Sequence, residues 1–74
     1  MNKDFYVVIE KDEDGYFVGE VPALRGCYSQ GKTIEELMHN MREVIELCLD
    51  DEPFVQNEFI GVQKMSIEYE PANV

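Results

Sequence analysis

The sequence has no tryptophan, one histidine, two cysteines and three prolines in 74 residues. Each shortage excludes something. One histidine with two cysteines, Cys27 and Cys48, does not match the spacing of a zinc site. Two cysteines are also too few for a disulfide framework, so buried, reduced thiols are expected. A lone histidine without a nucleophile and orienting acid beside it builds no catalytic constellation. His39 lies opposite the apolar stripe of its helix and reads as a surface residue. Basic residues are scarce as well, with 6 Lys and Arg against 16 Asp and Glu, for a net charge of −10. Phosphate contacts need a basic patch, so direct nucleic-acid binding is not expected, nor is docking on an anionic membrane. No apolar run approaches the roughly 20 residues of a membrane span. The opening Met-Asn-Lys-Asp-Phe lacks the apolar core of a signal peptide, so a cytoplasmic location is expected.

What the chain has is hydrophobic content, 45% of residues. That rules out a disordered acidic tail. Its length allows a single domain, residues 1–74. A core this small is marginal, so a homo-oligomer is expected. The charge is uneven. Residues 1–42 carry 8 acids and 5 bases, whereas residues 43–74 carry 8 acids and 1 base. A basic protein partner would be steered toward such a surface.

Residues 3–11 read as a strand with Phe5, Val7 and Ile9 on one face and Tyr6 and Val8 on the other. Apolar character on both faces predicts a central strand. Asp12-Glu13-Asp14-Gly15 reads as a turn, and residues 16–21 as the return strand, ended by Pro22. A loop follows over 22–26. Cys27-Tyr28-Ser29-Gln30 is a short β-prone stretch that Gly31 breaks. Thr33-Ile34-Glu35-Glu36 is a capping box, which predicts that Thr33 caps the Glu36 N–H and that the Glu36 carboxylate reaches back to Thr33. Ile34, Leu37, Met38, Met41, Val44, Ile45 and Cys48 then form one helical stripe of about four turns. Alternation returns over 59–70, where Met65, Ile67 and Tyr69 share a face; Gly61 is a candidate bulge. The order β-β-β-α-β predicts an α+β fold. One mainly antiparallel sheet carries one long helix on one face, and the last strand returns parallel to the first through a right-handed crossover.

The carboxylates select no metal site. Counted as a calcium loop from Asp12, position six is Phe17 and position twelve is Ala23, where glycine and glutamate are required. No glycine-rich phosphate loop follows a strand. No catalytic residue, metal or cofactor is therefore assigned, and a non-enzymatic binding module is expected. The candidate partner contacts are the acids Asp50, Asp51 and Glu52, which oppose the helix dipole, and a second acidic rim at Asp12, Glu13 and Asp14. Tyr16 and Tyr28 are candidate apolar contacts because one helix covers only one face of the sheet, and Leu47 because it lies roughly 120° off the apolar stripe of the helix. The same surface would also serve a stand-alone, self-associating protein.

The run from Gly15-Tyr16-Phe17-Val18-Gly19-Glu20-Val21-Pro22 through Leu24-Arg25-Gly26-Cys27-Tyr28-Ser29-Gln30-Gly31-Lys32-Thr33-Ile34-Glu35-Glu36 resembles the N-terminal domain of HicB-type antitoxins. Tyr6–Glu10 and Met41–Leu47 are similar too, so the resemblance spans about residues 5–50. It implies a β-β-β-α-β domain, a partial ribonuclease H-like fold without the catalytic carboxylates. It also implies a partner, a small basic HicA-type toxin that cleaves mRNA and whose active surface the antitoxin masks. Arg25 stands where the family usually has proline. Many relatives carry a C-terminal DNA-binding module; none is read before Val74.

Overall fold

The computed structural model describes residues 2–50 and 56–72. Three strands, β1 (Val8–Lys11), β2 (Phe17–Glu20) and β3 (Tyr28–Gly31), precede one helix, α1 (Ile34–Asp50). The strands form an antiparallel sheet in the order β1-β2-β3, with Ile9 opposite Gly19 and Gly19 opposite Ser29. The β-β-β-α order and the α+β class are those expected from the sequence.

Turn chemistry sets the first hairpin. The Gly15 N–H donates to the Asp12 carbonyl at 3.0 Å, and the Asp12 N–H to the Tyr16 carbonyl at 2.8 Å. Gly15, at φ 91°, supplies the left-handed step that closes such a loop. One Asp12 carboxylate oxygen accepts the N–H groups of Asp14 (3.0 Å) and Tyr16 (2.9 Å). Asp12 is thus a turn-forming residue before it is anything else.

The capping box closes as its residues dictate, with one change of partner. Thr33 Oγ1 accepts the Glu36 N–H at 3.0 Å. The Glu36 carboxylate accepts the N–H of Lys32, at 2.7 Å, rather than that of Thr33. From there α1 runs 17 residues, about 25 Å. Leu37 and Met41 are fully buried, and Val44, Ile45, Cys48 and Leu49 pack partly against the same cluster. Close approach of helix to sheet depends on two glycines. A Cβ on Gly19 would lie 3.1–3.2 Å from Val7, Leu37 and Met41 atoms, and one on Gly31 would lie 2.6 Å from the Leu37 nitrogen. The core is completed by Val21, Ala23, Leu24 and Cys27. The 22–26 segment, read from sequence only as a loop, therefore contributes two core side chains.

Two expectations differ from the structure. The first strand is an edge of the sheet, and β2 is central. Residues 57–72 join no strand or helix. Gln56 makes an isolated bridge with Leu24, and the Asn57 N–H donates to the Ala23 carbonyl at 2.7 Å. Beyond this root the segment is exposed apart from Phe59, which is half-buried against Tyr6, where the sequence predicts a fourth strand over 59–70. The two differences have one physical cause. Without a neighbour on its outer side, β1 is an edge despite being apolar on both faces.

Candidate partner-binding surface

The sheet has one covered and one open face. Gly19 faces Leu37 and Met41, so the Ile9–Gly19–Ser29 row lies under the helix. Alternation puts the neighbouring rows outside. One row is Val8, Glu20 and Tyr28; the next is Glu10, Val18 and Gln30. Val8 and Val18 are half-buried, while both glutamates are exposed. Tyr28 is 64% exposed. This open face joins carboxylates to aromatic and β-branched side chains, the mixture with which protein interfaces recognise a basic partner.

The sequence-predicted contacts fall on different sides of the domain. Tyr28 lies on the open sheet face, and Tyr16, half-buried, follows the β1–β2 turn. Leu47 is 68% exposed on α1, in the other layer. The turn bearing Asp12, Glu13 and Asp14 sits where α1 begins, because Phe17 pairs with Gly31 and Gly31 packs against Leu37. Asp50 closes α1 at the far end. The two acidic clusters are therefore separated by about the helix length, roughly 25 Å, and do not form one patch. Asp51 and Glu52 lie outside the described residues. Glu10 and Glu20 were not singled out as contacts, although period-two alternation with a hairpin register places them beside Tyr28.

Chemically reactive groups are quiet. Cys27 is fully buried and Cys48 half-buried, and both are free thiols. Burial, reinforced by a hydrogen bond with Cys48 and by its charge, pushes the Cys27 thiol up to about 12. A thiol so protonated is a poor nucleophile. His39 is exposed, with Nε2 4.0 Å from a Glu43 carboxylate oxygen. Among the described residues, no group of three or more His, Cys, Asp or Glu side chains is placed to hold a metal ion. Nor is any helix among them long and apolar enough to cross a membrane.

Comparison with known proteins adds the family. Residues 5–72 match the model of the HicB-like antitoxins of bacterial toxin–antitoxin systems. A UPF0150 protein of Synechocystis is 62% identical over 69 residues, covering 90% of this chain and all of the relative. One of Archaeoglobus fulgidus is 51% identical, over 86% of this chain and 94% of the relative. Another, of Thermotoga maritima, is 36% identical over 92% of this chain and 95% of the relative. A match running from the first strand through the C-terminal segment, on a β-β-β-α frame, shows that the chain belongs to the HicB-like antitoxin family.

Proposed function

We propose that this chain is a non-enzymatic antitoxin that neutralises a small, basic, mRNA-cleaving toxin of the HicA type by masking its active surface. The observation that carries this reading is the family match over residues 5–72. The net charge of −10 supports it physically. A strongly acidic chain accelerates encounter with a basic partner and disfavours approach to RNA, so it competes for the protein rather than for its substrate. The contact surface proposed is the open sheet face, with Tyr28 as an aromatic anchor and Glu10 and Glu20 as charge partners. Asp50 at one end of α1, and Glu13 and Asp14 near the other, extend the acidic field that steers association, and Asp51 and Glu52, next in sequence, add to its charge. Asp12 contributes charge while its carboxylate holds the turn.

The test is a binding titration against a HicA-type ribonuclease from the same organism, at low and moderate salt. Glu10→Lys combined with Glu20→Lys should weaken the complex by at least tenfold and flatten its salt dependence. Neutralising Asp50, Asp51 and Glu52 together should slow association more than it speeds dissociation. Unchanged affinity and salt dependence in the first variant would refute the assigned face.

A further inference from the structure

The chain has two cysteines, and the fold brings them together across its two layers. The β2–β3 ladder continues one pair past the strands, because the Val21 N–H donates to the Cys27 carbonyl at 2.9 Å. Alternation therefore puts Cys27, Ser29 and Gly31 on one face of the sheet. It is the face under α1, since Gly31 packs against Leu37. On the helix, Cys48 comes two turns after Met41 and shares its stripe. The levels match as well. Asn40 Nδ2 donates to the Gln30 carbonyl at 2.8 Å. From that contact Cys27 lies about 10 Å back along the strand, and Cys48 about 12 Å further along the helix. Cys48 packs on the core cluster to which Cys27 belongs, and a hydrogen bond joins the two thiols.

The two positions differ in what reaches them. Cys27 is fully buried and Cys48 half-buried, so a reagent from solvent meets Cys48 first. Cys27 stands behind it as a second thiol. The contact also sits at the less secured end of the helix. The start of α1 is held by the capping box and by its close approach to Gly31. Its last turn has no basic residue to complement the dipole and ends on Asp50, which opposes it. Leu47, beside Cys48 in sequence, is 68% exposed. Among the described residues, Ile45, Cys48 and Leu49 pack this end on the core.

We infer that Cys27 and Cys48 are a redox staple, which hydrogen peroxide closes into a disulfide that locks the end of α1 onto the sheet. A small oxidant suits a thiol that is only half open to solvent. The Cys48 thiolate attacks one peroxide oxygen. An S–O bond forms, the O–O bond breaks, and the departing hydroxide takes the proton that Cys48 gave up and becomes water. The Cys27 sulfur then attacks the Cys48 sulfur. An S–S bond forms, the S–O bond breaks, and the second hydroxide leaves as water with the Cys27 proton. The two thiols lose two electrons, and one peroxide becomes two waters. Sulfurs at hydrogen-bond range are within roughly 2 Å of the disulfide bond length, a gap that a turn about the Cys48 χ1 and a small shift of the last helical turn close. The charge of Cys48 is one cause of the high Cys27 pKa, and it is gone once Cys48 is a neutral sulfenic acid, so the first step eases the second. The inference concerns the chain alone and does not depend on the toxin reading.

The experiment uses the full chain, folded and without any partner. It is treated with hydrogen peroxide, the remaining thiols are alkylated, and peptide mass spectrometry under non-reducing conditions locates any disulfide. Thermal unfolding followed by circular dichroism gives the structural consequence. Cys48→Ala, treated alike, is the reference, because it shares any oxidation of the methionines. Expected are a linked peptide pair holding Cys27 and Cys48 of one chain, and a melting temperature that peroxide raises by about 10 °C or more relative to its effect on the reference. Dithiothreitol should remove the bond and the gain together. Treated wild type in which both thiols are still alkylated overturns the inference, as does sulfinic acid at Cys48 with Cys27 untouched. So does a disulfide found only between chains, and so does a Cys27–Cys48 bond that leaves the melting temperature no higher than the reference effect allows.

Discussion

Gly31→Ala isolates the close approach on which the two-layer packing rests. The added Cβ would lie 2.6 Å from the Leu37 nitrogen, 2.9 Å from its Cα and 3.0 Å from the Glu36 carbonyl carbon. Comfortable carbon contacts lie near 3.5–4.0 Å, so the overlap is on the order of 1 Å. All three opposing atoms are backbone, so no rotamer change relieves it. The first turn of α1 must move away from the sheet, loosening Leu37, whose side chain is fully buried. Overpacking of this kind costs about 1–3 kcal/mol. Restricting the unfolded chain by replacing glycine returns about 0.4–1 kcal/mol. The net loss is then about 1–2 kcal/mol. In a domain of this size each kcal/mol shifts the melting temperature by roughly 4–8 °C, so a drop of about 4–16 °C is expected. The assay is thermal unfolding followed by circular dichroism at 222 nm. Gly61→Ala is the control, since no atom lies within 4 Å of its Cβ position. A Gly31→Ala variant that melts at or above the wild type would refute the packing argument.

Two further outcomes follow from local chemistry. Thr33→Ala removes the acceptor of the Glu36 N–H, at 3.0 Å, and should cost about 1 kcal/mol in chemical denaturation, with an unchanged m-value. Cys27 makes stability depend on alkaline pH. Its folded pKa, near 12, lies above that of an unfolded thiol, about 8.5. The unfolded chain therefore loses the proton first, so the stabilising contribution is complete below about pH 8.5 and declines as pH rises toward 12. Urea titrations between pH 8 and 11 should show a steeper fall for wild type than for Cys27→Ala; parallel curves would contradict the assignment.

Local signals were legible in the sequence, and long-range ones only where a periodic pattern reported them. The capping box at Thr33–Glu36 and the turn at Asp12–Gly15 were readable because both are made by side chains a few residues apart. The helix was readable from its 3–4 residue spacing, which marked Leu37 and Met41. Ala23 and Leu24 were missed as core residues because their burial follows from the path of the β2–β3 connection, which no periodicity reports. The apposition of Cys27 and Cys48 was hidden for the same reason. The edge position of β1 was not legible because apolar residues on both faces report burial of the faces, not a hydrogen-bonded neighbour on each side. As for the candidate contacts, the sequence marks Asp12–Asp14 and the acids from Asp50 onward as two separate rims without saying how far apart they lie. The antiparallel run of α1 against β3 places them at opposite ends.

The central claim is that this chain disarms a toxin by covering it. The direct measurement is the rate of mRNA cleavage by a purified HicA-type ribonuclease of the same organism, titrated with this chain at two salt concentrations. The account predicts that cleavage falls to background near stoichiometric addition, and that added salt shifts the curve toward higher antitoxin concentration. Undiminished cleavage in excess chain, with no complex detected at either salt, would contradict it.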